Sequence, residues 1–104
     1  MKIALVGDIG FFGKYALENN ANVFEYFKEA SEYLAQFDYV VGNLELPFLK
    51  EGNSIGAKSA YLKSDPKNIA LLEYLNINIV TLANNHIYDF GHKGVESTIE
   101  LLER

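Results

Sequence analysis

The sequence predicts an α/β fold in which three parallel strands alternate with helices in the order β-α-β-α-β-α. Three observations carry this prediction. Short apolar runs recur along the chain: Ile3-Ala4-Leu5-Val6, Tyr39-Val40-Val41, and Ile77 followed by Ile79-Val80-Thr81-Leu82-Ala83. Segments with helical spacing separate and follow them, as right-handed crossovers between parallel strands require. Each run also leads into a polar cluster, and the carboxyl ends of strands form the rim where open α/β sheets bind ligands.

Composition fits one folded domain spanning residues 1–104. Of 104 residues, 49% are apolar and 22% charged, enough for a single core and unlike a disordered chain. The formal charge of −5, with no Lys/Arg-rich run, argues against a nucleic-acid partner or an anionic membrane surface. The absence of cysteine removes disulfides, thiolate ligands and cysteine nucleophiles, and it fits a reducing compartment. The apolar run after Met1-Lys2 is too short for a signal peptide or anchor. No membrane segment is expected, and the location expected is cytoplasmic.

Element by element, the first run is apolar on both faces, which predicts a buried parallel strand. Residues 8–20 form a glycine-punctuated loop, with Gly10 and Gly13 flanking Phe11-Phe12. From about Asn22, Val23, Phe27, Ala30, Leu34 and Phe37 recur at steps of four and three, which predicts a helix. Glu25, Lys28, Glu29 and Glu32 fall on its other side, and Asp38 hands over to the second strand. In the segment 46–64, Pro47 blocks regular pairing and Gly52-Asn53 suggests a turn. Ser59 to Lys63 reads as a short outer strand, and the length suits a functional loop or hairpin. Asp65-Pro66 is a helix start, an Asp cap followed by Pro at the first helical position. Ile69, Leu72 and Leu75 mark that helix's buried stripe, and Asn76 and Asn78 surround the entry to the third strand. The last helix is expected from near His92, with Val95, Ile99 and Leu102 on one face. Three parallel strands leave two unpaired edges, so the sequence is expected to dimerise or to be the first part of something longer.

The polar clusters carry the chemistry. Asp8, after Gly7, can bind a cation, take a proton, or cap the following turn. Asn43 and Glu45 are two apart, so in an extended segment both point the same way. An amide oxygen beside a carboxylate suits a hard cation. Alternatively, Asn43 holds the loop backbone by local hydrogen bonds. Asn84-Asn85-His86, with Asp89 and Gly91 following, is the strongest single motif, because adjacent amides after a buried strand must each find partners. His86 can ligate a metal or act as a general acid, with Asp89 orienting its ring. The other reading is that the amides and His86 tie a tight strand-to-helix turn. His92 reads as a solvated first-turn histidine. On the shared rim, Asp8, Asn43, Glu45, Asn85 and His86 are expected to face a common centre.

Val6-Gly7-Asp8-Ile9, Gly42-Asn43-Leu44-Glu45-Leu46-Pro47 and Thr81-Leu82-Ala83-Asn84-Asn85-His86-Ile87-Tyr88-Asp89-Phe90-Gly91 occur in that order. Together they resemble the CapA-type capsule-synthesis (poly-γ-glutamate) family, grouped among the calcineurin-like metallophosphoesterases. Gly94-Val95 with Thr98 and Leu101 looks like the helix that follows the Asn-Asn-His motif in that family. The resemblance implies the N-terminal half of a four-layered αββα fold with a dinuclear metal site on the rim. It implies Asp8, Asn43, Glu45 and Asn85 as ligands to divalent ions such as Mn²⁺ or Mg²⁺, and His86 as the catalytic histidine; Asp89, read above as orienting its ring, is carried with it as a catalytic residue. The function implied is capsule or poly-γ-glutamate biosynthesis, with a phosphoesterase-type hydrolase site for a phosphorylated or anionic small molecule or polymer. The sequence departs from the wider superfamily at Gly10, where a histidine is usual, and at Asn43, where an aspartate is usual. Only His86 and His92 are present, so the later histidine motifs have no counterpart and the site is expected to be incomplete within this chain. Two other functions are carried beside this one: a non-catalytic metal- or anion-binding module, and a structural subunit whose open sheet edge is completed by another copy, as a homo-oligomer, or by a partner chain.

Overall fold

The computed structural model describes residues 1–50, 63–84 and 86–103, so the predicted turn at Gly52-Asn53 and residues 59–62 of the predicted outer strand lie outside them. Three parallel strands, β1 (Ile3–Ile9), β2 (Tyr39–Leu44) and β3 (Ile79–Thr81), form one sheet in the order β1-β2-β3. Helices α1 (Val23–Tyr26) and α2 (Lys28–Leu34) connect the first pair, and α3 (Ile69–Tyr74) connects the second. The chain then enters α4 (Gly91–Leu102). The mixed α/β layout matches the layout predicted from sequence and is consistent with the N-terminal half of a metallophosphoesterase-like fold.

The helix predicted from Asn22 to Phe37 is two short helices instead. The chain breaks at Phe27, whose N–H bonds to Phe24 O, a three-residue closure in place of four. Its ring sits edge-on to Phe11, with centroids 6.1 Å apart, and lies 6.2 Å from Tyr15. Packing against the 10–15 loop has overridden helical periodicity there. Val23 and Leu34 are buried as expected, whereas Ala30 is exposed.

The Asp65 cap is present as predicted, with its carboxylate accepting from Lys67 N at 3.0 Å and Pro66 opening a 3-10 turn ahead of α3. Helix α3 stops in a paired closure. Asn76 adopts a left-handed φ of 63°, its N–H bonds Glu73 O, and Ile77 N bonds Leu72 O. Asn78 then substitutes for strand backbone before β3 begins: its Oδ1 accepts from Val40 N at 3.0 Å.

Strand β1 departs from expectation in two ways. The register runs Leu5↔Val41 and then Gly7↔Gly42, so Val6 is an extra residue and Gly7 takes φ +81°. Alternation therefore changes frame between Leu5 and Gly7: Asp8 comes out beside Asn43, while Ile9 turns into the core against Leu44. Among the described residues the strand is also covered on one side only. Leu5 is 80% exposed, and Ile3, Tyr39 and Ile79 share its uncovered face by register. A strand apolar on both faces predicts two covering layers, and only one covers it among the described residues.

The core lies on the opposite face, where Val40 and Leu44 of β2 meet Val23, Leu71 and Leu72. Phe48, fully buried, extends this core beyond the end of β2. Its N–H donates to Thr98 Oγ1 at 2.7 Å, and that hydroxyl donates to Gly94 O at 2.7 Å, so a buried threonine of α4 anchors the segment after the rim. Thr98→Val keeps the shape and orphans the Phe48 N–H. We expect a loss of about 1–3 kcal/mol in stability, read by urea unfolding. An unchanged midpoint would show that the hydroxyl is not needed there.

Candidate metal and acid–base site

The carboxyl ends of all three strands meet in a polar row. Asp8, Asn43 and Thr81 stand level across β1, β2 and β3 by register. Asn43 Nδ2 donates to Asp8 Oδ1 at 2.8 Å, and Asn43 Oδ1 accepts from Thr81 Oγ1 at 3.0 Å. Beyond β3, Asn84 Nδ2 donates to the same Asn43 oxygen at 3.1 Å and to Leu44 O at 2.8 Å. Asn84 Oδ1 accepts from His86 N at 3.1 Å and Ile87 N at 3.0 Å, forming the turn that carries the histidine.

Next to this row stands an acid–base chain. Asp89, 1% exposed, places Oδ2 2.6 Å from His86 Nδ1, and Glu45 Oε1 lies 3.9 Å from Nε2 on the other side of the ring. A carboxylate at Nδ1 assigns the proton to that nitrogen, so Nε2 is the atom that can accept a proton or a ligand. The position of Asp89 follows from a turn closed by Asp89 N to His86 O and Gly91 N to Tyr88 O, each 3.0 Å. Gly91, at φ +71°, makes that turn flow into α4.

The row and the chain share an open depression of about 340 Å³, lined by Asp8 and Glu45 with Gly10, Phe12 and Leu46. Thus Asp8, Asn43, Glu45, His86 and Asp89 gather on one rim, and Asn85 lies outside the described residues. As a donor set, Asp8 and Glu45 offer oxygen to a hard cation. Asn43 is turned the other way: its carbonyl oxygen faces Thr81 and Asn84, and it could ligate only by turning its amide over. Among the described residues, no three His, Asp or Glu side chains form a group able to hold an ion by themselves. Also among the described residues, no helix is long and apolar enough to cross a membrane.

One rim residue carries no functional mark in the sequence alone, and a second is marked only as part of the Asn-Asn-His motif. Thr81 looks like a plain strand residue, although parallel register sets it level with Asn43. Asn84 looks like one member of an amide pair; the signal that marks its role is an Asn two and three residues ahead of the N–H groups it binds.

The sequence model of the family described as "Bacterial capsule synthesis protein PGA_cap" matches residues 2–104, a span that includes every one of these clusters. The chain belongs to this family. Among curated relatives, this PGA_cap chain is similar to the capsule biosynthesis protein CapA of Bacillus anthracis. The two are 31% identical over 105 residues, covering 96% of the chain and 25% of that protein. It is also similar to the PGA biosynthesis protein CapA of Bacillus subtilis (strain 168), 28% identical over 102 residues, covering 95% of the chain and 27% of the relative. A probable polyglutamine synthesis accessory protein of Mycobacterium tuberculosis is 34% identical over 65 residues, 62% of the chain and 17% of that protein. The PGA_cap chain thus spans about a quarter of the length of the CapA relatives it matches.

Proposed function

We propose that this chain serves capsule or poly-γ-glutamate biosynthesis through a divalent-metal site of phosphoesterase type. Asp8 and Glu45 supply oxygen ligands, and His86 handles the proton. The observation that supports this most is the shared depression, with two carboxylates on its wall and a histidine Nε2 3.9 Å from one of them. Asp8 and Glu45 would hold the divalent ion, which when bound would supply Lewis-acid polarisation of a phosphoryl oxygen and a more acidic coordinated water. The residues present do the rest: Asp89 holds the His86 ring, Nε2 gives or takes a proton at the reacting oxygen, and Asn43 aims Asp8. The substrate class is a phosphorylated or anionic intermediate, whose charge an ion on Asp8 and Glu45 would offset.

Metal analysis after dialysis and calorimetric titration with Mn²⁺ test the ligand assignment. The chain should take up Mn²⁺ weakly, since two carboxylates alone hold an ion loosely, and Asp8→Asn or Glu45→Gln should each weaken uptake by at least about tenfold. No uptake by the unsubstituted chain would sink the metal reading. A single tight ion, with no turnover of para-nitrophenyl phosphate, would favour the binding module instead.

A further inference from the structure

Asn84 has both of its amide ends engaged, and its orientation follows from groups whose roles are not in question. His86 N and Ile87 N can only donate, so the atom facing them is Oδ1. Leu44 O can only accept, so the atom facing it is Nδ2. With Asn84 fixed, the shared contact at 3.1 Å requires Asn43 to present its oxygen, and the other end of Asn43, Nδ2, must then face Asp8 at 2.8 Å. Backbone groups of the histidine turn therefore set the direction of an amide on β2, and through it the carboxylate on β1.

We infer that Asn84 is a positioning residue that couples the His86 turn to the Asn43–Asp8 pair, so that the acid–base and carboxylate parts of the rim are held in one arrangement. The inference deepens the metal-site reading and rests on it for its catalytic meaning, though not for its geometry. Asn84 also explains why Asn43 keeps its oxygen away from the depression: two donors, Thr81 Oγ1 and Asn84 Nδ2, already claim it. Asp8 meets an N–H from β2 in place of a second oxygen.

Two variants separate the halves of this role. Asn84→Asp keeps an acceptor for His86 N and Ile87 N but sets an oxygen against Asn43 Oδ1 and Leu44 O. Asn43 should respond by turning over, so that its NH₂ protons lose their nuclear Overhauser contact with the Asp8 β-protons and gain one with residue 84. The His86 ring signals should barely move. Asn84→Ala removes both ends: the Asn43 NH₂ and His86 ring signals should both shift, and any Mn²⁺ affinity should fall about 10- to 100-fold. If Asn84→Ala does not fold, Asn84→Asp decides alone. Retention of the Asn43–Asp8 contact in Asn84→Asp would overturn the coupling. Absence of Mn²⁺ uptake by the unsubstituted chain would instead count against the metal reading, while the nuclear Overhauser contacts would still decide the coupling.

Discussion

Replacing His86 by Ala should make the chain easier to unfold by roughly 2–4 kcal/mol at neutral pH, quite apart from any effect on catalysis. Asp89 is 1% exposed and meets the ring at 2.6 Å, so removing the imidazole takes a close donor from a carboxylate sealed in the turn before α4. Breaking such a pair costs more than a surface ion pair, because the remaining charge has little access to water. Combining His86→Ala with Asp89→Leu removes the charge as well. The double variant should therefore be less damaged than the sum of its parts, by about 0.5–3 kcal/mol. Urea unfolding of the four chains measures this. A His86→Ala chain within about 0.5 kcal/mol of the parent, the range of an ordinary surface change, would show that the pair contributes nothing to the fold.

Gly42→Val should have an effect at or above the upper end of the roughly 1–3 kcal/mol typical of overpacked cores. A Cβ at Gly42 would run into Ile9 Cδ1 and lie 3.1 Å from both Ile9 Cγ1 and Val6 Cγ2. Ile9 occupies that space because the bulge turns it inward, so bulge and glycine belong to one solution. For a domain of this size the thermal midpoint should fall by roughly 10 °C or more. Mn²⁺ uptake should fall too, since forcing β1 away from β2 loosens the Asp8–Asn43 bond. Gly42→Ala is milder because the end of Ile9 can swing aside, and shortening Ile9 to Val in that background should recover stability. A Gly42→Val chain with an unchanged midpoint would show that the strands have slack.

Three strands, their parallel arrangement, the Asp65-Pro66 helix start and the clustering of polar residues on one rim were legible in the sequence. Each depends on local pattern: apolar runs, cap chemistry, and polar residues directly after strands. What escaped depends on partners far away in the chain. The two-residue alternation predicts that Asp8 and Val6 share a face with Ala4, and only pairing with β2 reveals the extra residue that reverses it. The break at Phe27 is decided by Phe11 and Tyr15, which no periodicity within 22–37 encodes. Thr81 looks ordinary, and the bond of Asn84 to Asn43 stays hidden, until β2 is set beside them. The ligand role expected for Asn43 is a matter of amide direction, which composition and spacing do not carry.

The uncovered side of the sheet has a consequence for the rim's electrostatics. Asp8, Asn43 and Thr81 continue the same face as Leu5, Val41 and Ile79, so among the described residues the polar row is the margin of an uncovered apolar plate. Two unit charges about 4 Å apart attract with about 1 kcal/mol in bulk water and about 4 kcal/mol at an effective dielectric constant near 20. Any layer laid over Leu5 and Ile79 would also roof the adjoining carboxylate, and the grip of that carboxylate on a cation would strengthen as water left.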